Sequence, residues 1–593
     1  MNIHSFHIPV LGLAFSVDTP IKVAHLGIDS VMSIVEDSLL EQVRKFYSEK
    51  HGFKFQPITN KVTDARAKRI TQYLNLVKKI AEEKFAQFKK SCSLGEAIDY
   101  FGMLPDASSL KKQFLKLKEM GNSADLIDYA RNHAKMGSID VNIMTKLDRV
   151  NFKGAQPLGK EYNDAHAALR GFAKSELQSS LILSAGLNPS LYSYMASFDD
   201  FFPDERGVFR KKIILKVSDY RSALIQGKFL AKKGLWVSEF RIESGLNCGG
   251  HAFATDGHLM GPILEEFNQN RAELRQTLFD IYAVALQQGN RPSQIPVPDM
   301  KISAQGGVGT ADEHTFLHEQ YGLDAVGWGS PFLLVPEATC VDRGTRERVR
   351  ASKEKDLYLS EISPLGVSFN NLRDNTKDLE KEELIRKGKP GSPCIKKYLA
   401  FNTEYSKKPL CTASRKYQHI KIKELEENKL PPVQYQREYR KITEKACICT
   451  GLSTPFLLEN ELETGQSGEG VSICPGPNIA YFTELVSLRK MIDHIYGRAD
   501  IIKRNDRPHM FIKELGLYMD HFKKLMDEYA LDASKKVKNR ISSFAKNLEA
   551  GIAYYQQLDL NLSNEMARGF KKSLKKAQSK LKLLSHQLCL EAV

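Results

Sequence analysis

The stretch KISAQGGVGTADEHTFLHEQYGLDAVGWGS, residues 301–330, contains the unit from which much of the chain is built. An apolar run, "KISA", ends in two glycines. A segment with apolar residues at helical spacing follows, with Thr310 placed to cap its start and Gly322 to stop it. A second apolar run, "LDAV", then ends in "GWGS". Strand, helix, strand predicts a crossover unit and a parallel pair, because a helix carries the chain back to the same end of the sheet.

Reading outward, eight short runs rich in Val, Ile and Leu mark the first 340 residues. They are "HIPVLGLA" from His7, "SVMSIV" from Ser30, "IDVNIM" from Ile139 and "SSLILSAG" from Ser179. Then come "KKIILKV" from Lys211, "LWVSEFR" from Leu235, "MKISAQGG" from Met300 and "LDAVGWG" from Leu323. Near-continuous apolar runs suit strands covered on both faces. Helix-like segments separate most of them, among them "DYRSALIQGKFLAKKG" with Asp219 in capping position. This pattern predicts an α/β fold, a (β/α)8 TIM barrel, from residues 1–37 and 137–340. Residues 38–136 read as a helical insertion. Residues 341–480 read as a loop-rich, cysteine-containing region, and 481–593 as a basic helical C-terminal region.

Composition narrows the function classes. Hydrophobic content of 42% and charged content of 26% are ordinary for a globular protein. The longest apolar runs are far shorter than the roughly 20 residues of a membrane span. The N-terminus lacks a basic segment and a small-residue cleavage site, so the expectation is a cytoplasmic protein with no membrane span. Lys and Arg exceed Asp and Glu, 86 against 71, a net charge of +15. That excess favours anionic partners, although a solvated basic surface accounts for it equally well.

In a barrel of this kind chemistry sits at the C-terminal ends of the strands, and a phosphate is commonly held by the tips of strands seven and eight. Gly306 and Gly307 end strand seven; Gly329 and Ser330 end strand eight. Glycine leaves backbone N–H groups open to an anion, and the serine hydroxyl adds a donor. Two tight turns that bind nothing are the plainer reading. At the end of strand six stands "RIESGLNCGGHAF", residues 241–253. Gly249 and Gly250 let backbone pass close to a flat ligand, and His251 is placed to exchange a proton near neutral pH.

These residues carry a resemblance. "CGGH", "KISAQGGV" and "YGLDAVGWGSPFLLVPEA" resemble the motifs of the FMN-dependent barrels of the nitronate monooxygenase (2-nitropropane dioxygenase) family and of related enoyl-reductase-type flavoproteins. "DVNIM", with Asn142, and "LKVSD", with Lys216, resemble two further motifs. "IPVLGLAFSVDTPIKVAHLGIDSV", with Gly12, resembles the family's opening, where the flavin ring rests on backbone. The likeness covers roughly residues 5–65 and 136–340. It implies that Gly306, Gly307, Gly329 and Ser330 hold the FMN phosphate. It implies that Gly12, Asn142, Lys216, Gly249 and Gly250 contact the rest of the cofactor, and that His251 is the catalytic proton carrier. A lysine at the N1–O2 edge of the flavin stabilises its anionic reduced form. The chain departs from the family at Asn247, where an acid is usual, in its long insertion and in its extension beyond residue 340.

Five cysteines, Cys394, Cys411, Cys447, Cys449 and Cys474, fall in the loop-rich region. Thiolates bind iron–sulfur clusters or zinc, and the spacing leaves cluster, zinc and unlinked cysteines all open. Glutamate synthase is the analogy for a cluster close behind an FMN barrel, with Cys340 in a similar place here. Cys248 is an alternative catalytic thiol. The basic tail, "KKVKNR" and "ARGFKKSLKKAQSKLK", reads as a solvated face, with nucleic acid or an acidic protein as alternatives; no motif supports sequence-specific readout. The reading is an FMN-dependent oxidoreductase with a small-molecule or acyl substrate, an electron-donor protein as a further partner, and an iron–sulfur cluster as a second cofactor. Its rivals are a flavin enzyme acting on RNA and a non-catalytic barrel that binds an acidic partner.

Overall fold

The computed structural model describes residues 3–184, 186–249, 256–529, 535–560 and 564–590. Each apolar run becomes one strand. These are β1 (Phe6–Ile8), β2 (Asp29–Ser33), β3 (Ile139–Met144) and β4 (Ser180–Ser184), then β5 (Lys212–Val217), β6 (Val237–Glu243), β7 (Lys301–Gln305) and β8 (Ala325–Gly327). All pair in parallel, in chain order, and the sheet closes on itself. His7 of β1 stands opposite Gly327 of β8 on one side and Asp29 of β2 on the other. The (β/α)8 barrel expected from the sequence is the fold.

Local chemistry explains the element ends. Asp219 accepts from Ser222 N at 2.7 Å and starts the helix Tyr220–Ala231. Thr310 accepts from Glu313 N at 3.2 Å, and Gly322 ends that helix in the left-handed region at φ 59°. The barrel interior is less apolar than the runs suggest. Glu239 and Arg241 of β6 pair at 2.8 Å inside it, and Ser303 hydrogen-bonds Glu239. Asp140 is fully enclosed nearby, and burial pushes its carboxyl up to about 6 despite the Arg241 charge.

After β2 the chain forms five helices: Asp37–Lys50, Ala65–Ser91, Leu94–Met103, Ser109–Glu119 and Ser123–His133. The long second helix belongs to the barrel's helical ring. Its Thr71 hydroxyl donates to Gly171 O at 2.9 Å, on the barrel helix Asp164–Ala173. Arg66 and Arg69 on it both reach Asp37, at 2.6 and 2.8 Å. The last three helices gather a separate apolar cluster in which Phe101 stacks on Phe114 at 4.5 Å.

Beyond β8 the chain returns over the C-terminal face of the barrel. A hairpin, β9 (Leu357–Ser360) and β10 (Phe369–Leu372), and segments of the loops and short helices after it form a roof. Several ties hold the roof down, these among them. Leu452 O accepts from Ala14 N at 3.0 Å, Lys396 pairs with Glu36 at 2.9 Å, and the Tyr398 hydroxyl donates to Asp37 at 2.8 Å. Three C-terminal helices, Met510–Tyr529, Lys535–Gln557 and Asn564–Leu590, pack together and against the helix Met260–Gln288. Their aromatic residues turn inward, with Phe511 stacked on Tyr555 at 4.8 Å and Phe544 and Phe570 buried. Lys571, Lys572, Lys575, Lys576 and Lys580 turn outward. Among the described residues, no helix is long and apolar enough to cross a membrane.

Candidate active site

A cavity of about 290 Å³ lies between the C-terminal tips of β1 to β6 and the roof. Its floor comes from strand tips: Gly12 after β1, Ser33 on β2, Asn142 on β3, Ser184 on β4, Lys216 on β5 and Glu243 on β6. Asn247 and Gly249 close one side. Phe369, Tyr398, Leu399, Ile448 and Leu452 of the extension supply most of the apolar cover. Mixed walls of this kind, mostly apolar with a few convergent polar groups, characterise small-molecule sites.

Two polar features define the floor. Asn142 is 4% exposed, and its Oδ1 has no hydrogen-bond partner among the described residues. A buried amide oxygen left without a donor costs free energy, so the site is built to receive one. Lys216 Nζ meets Glu243 Oε1 at 2.6 Å. The same oxygen accepts from Asn247 Nδ2 at 2.6 Å and from Gln305 Nε2 at 2.8 Å. Gln305 Nε2 also lies 3.2 Å from Asn247 Oδ1, which ties the end of β7 to the loop after β6.

The motif residues therefore divide. Gly12, Asn142, Lys216 and Gly249 share the cavity. Gly12 is left-handed at φ 64°, a conformation in which glycine carries no penalty. Gly250 and His251 lie outside the described residues. Gly306, Gly307, Gly329 and Ser330 stand at the tips of β7 and β8 but do not face the cavity. A Cβ on Gly306 would lie 3.0 Å from Asn247 N, and one on Gly329 would lie 3.1 Å from Cys248 Cβ, so the loop after β6 is folded against both tips. Residues 474–478 cover the rest. A Cβ on Gly476 would come within 3.0 Å of Ser330 Oγ. Asn478 Nδ2 donates to Val308 O at 2.7 Å, and Arg507 Nη2 to Gly307 O at 2.9 Å.

Of the five cysteines, Cys394, Cys411, Cys447 and Cys449 lie near one another and Cys474 does not join them. Cys474 packs against Cys248, whose Sγ donates to Cys474 O at 3.3 Å. Burial raises both thiols, Cys474 to about 12 and Cys248 well above the ordinary value. Cys248 is thus a protonated, enclosed thiol, which argues against the nucleophile considered from sequence. Cys394 stands beside Cys411, and Cys447 beside Cys449; within each pair the neighbouring thiol lowers the first and raises the second, and the two pairs lie close enough for charge on one to act on the other. Cys340 is buried beside Asn460, away from these pairs, and burial raises it. Among the described residues, no three or more His, Cys, Asp or Glu side chains come together as a metal site.

Sequence reasoning missed Glu243 and the whole roof. Glu243 closes the strand that ends in the glycine–histidine motif, and an acid at the C-terminal tip of a barrel strand was the available signal. The roof carried none, because nothing local in Phe369, Leu399 or the apolar stretch around Ile448 and Leu452 says that it folds back over the barrel.

No family model matches the chain, and no curated protein sequence matches it. Among solved structures, the enoyl reductase domain of MlnA from the macrolactin biosynthesis cluster of Bacillus amyloliquefaciens aligns at 14% identity and a TM-score of 0.32, over 69% of this chain and 88% of that one. FabK from Thermotoga maritima aligns at 13% and 0.31, over 66% and 82%. Nitroalkane oxidase from Streptomyces ansochromogenes aligns at 8% and 0.32, over 83% and 96%.

Proposed function

We propose that the protein is a flavin-dependent oxidoreductase that takes FMN, with the ring lying across the tips of β1 to β6. One observation carries this reading. Gly12, Asn142, Lys216 and Gly249 were singled out from separate motifs, and all four line one cavity at the catalytic end of the barrel. A flavin bound there supplies two-electron exchange at its N5.

The chain's own residues have definite tasks on this reading. The backbone around Gly12 forms a flat rest for the ring. Asn142 Oδ1 accepts from a ring or ribityl donor and gains the partner it lacks. Lys216 places an ammonium on the floor, and the apolar roof of Phe369, Leu399 and Leu452 keeps water out, which strengthens that charge. His251 remains the proposed proton carrier. Gly306, Gly307, Gly329 and Ser330 keep the phosphate role only if residues 474–478 move off them, because as folded those tips are packed by protein. The ring end of the cofactor fits the cavity; the phosphate end does not fit without that movement. An iron–sulfur cluster forms no part of this proposal.

The test is titration of flavin-free protein with FMN, followed by quenching of flavin fluorescence. Asn142→Leu, which fills the floor and removes the acceptor, is expected to weaken binding at least tenfold, about 1.4 kcal/mol. Equal affinity in wild type and variant removes Asn142 from the site; no uptake by wild type removes the reading itself.

A further inference from the structure

Lys216 reaches the cavity floor with 9% of its side chain exposed, and Glu243 meets it from the next strand with 26% exposed. The carboxylate is firmly placed. Its Oε1 takes three donors, Lys216 Nζ and Asn247 Nδ2 at 2.6 Å and Gln305 Nε2 at 2.8 Å. The donors come from β5, from the loop after β6 and from β7, so movement of any one strand tip is resisted by the others. A cation and an anion this close present little net charge to a group farther off than their own separation. The chain has therefore put a cation on the cavity floor and set beside it a fixed anion that offsets it.

We propose that Glu243 is a positioning residue that sets the redox potential of a flavin in this cavity, by fixing Lys216 and cancelling part of its charge. This rests on the flavin reading above. Two-electron reduction places negative charge on the pyrimidine edge of the ring. A free ammonium stabilises that charge strongly, and a paired one less so. Glu243 makes and breaks no bond and carries no electrons.

The experiment is an anaerobic reduction of the flavin-loaded protein by dithionite beside a dye of known potential, read from the flavin absorbance. Dithionite supplies the two electrons and solvent the proton. Glu243→Gln keeps the size and the acceptor oxygen and removes the charge. It is expected to favour the reduced flavin at least tenfold, a rise of about 30 mV for a two-electron couple. Lys216→Met leaves Glu243 in place and is expected to shift the potential as far in the opposite direction. An unchanged or lower potential in Glu243→Gln overturns the inference, and so does an unchanged potential in Lys216→Met. Wild-type protein that takes up no flavin removes the flavin reading together with this inference. Protein that takes up flavin with a potential indifferent to both substitutions overturns the inference alone.

Discussion

Glu514 connects the C-terminal helices to the candidate site, and its ionisation should be visible in the stability of the protein. The side chain is 2% exposed on the helix Met510–Tyr529. Its carboxyl accepts from Ser244 Oγ at 2.7 Å and from Met260 N at 2.8 Å, so it joins the two residues that flank the loop after β6. Burial pushes it up from 4.5 to about 7, against the hydrogen bonds that favour its ionised form. A carboxyl whose folded value is raised holds its proton longer in the folded state than in the unfolded one. Its contribution is therefore fully present below about pH 4.5 and is lost as the pH climbs towards 7. Integrated between pH 5 and pH 8, this loss is about 2–3 kcal/mol. Glu514→Gln keeps an acceptor for Ser244 and cannot ionise, so it escapes the loss. Urea denaturation of both proteins at pH 5, 6, 7 and 8 measures the effect. The variant should gain on wild type by about 2–3 kcal/mol across that range, whichever is more stable at pH 5. A stability difference that does not change with pH would refute the argument.

Two further outcomes follow from buried groups elsewhere. Arg507 and Glu313 pair at 2.8 Å with 7% and 4% of their side chains exposed, and Glu313 also accepts from Gly309 N and Met510 N. Arg507→Met leaves that carboxylate enclosed without its cation and should cost about 3–5 kcal/mol in urea denaturation; a cost under about 1 kcal/mol would show that the pair is open to water. Among the thiols, Cys394 is half-buried and held below the ordinary value, whereas Cys248, Cys340 and Cys474 are buried and raised. Brief alkylation of the native protein, read by peptide mass, should mark Cys394 well before those three; equal labelling would contradict the enclosed packing of the β6 tip.

Much of the barrel was legible because its strands are short apolar runs separated by capped helices. That is a local signal, and caps such as Asp219 and Thr310 fix the boundaries to within a residue or two. The charged layer inside the barrel was not read, although "VSEFRIE" alternates Glu239, Arg241 and Glu243 along one face of β6. The run from Leu235 reads with the other apolar strands, and closure of the sheet turns its charged residues inward. The cavity floor was partly legible, since Gly12, Asn142, Lys216 and Gly249 each sit in a motif at a strand tip. The roof was not, because Phe369, Tyr398 and Leu399 reach the cavity through long-range ties such as Lys396 to Glu36 that no local pattern encodes. The closure of the β7 and β8 tips was equally invisible. Gly306 and Gly307 are left-handed at φ 111° and 91°, as glycine-rich tips allow, but what rests on them is decided by residues 474–478, far along the chain.

The visible absorption spectrum of protein purified without air and then equilibrated with FMN tests the central claim most directly. The account predicts a two-banded flavin spectrum that survives gel filtration at one flavin per chain and weakens in Asn142→Leu. A colourless protein that takes up no added FMN would contradict it.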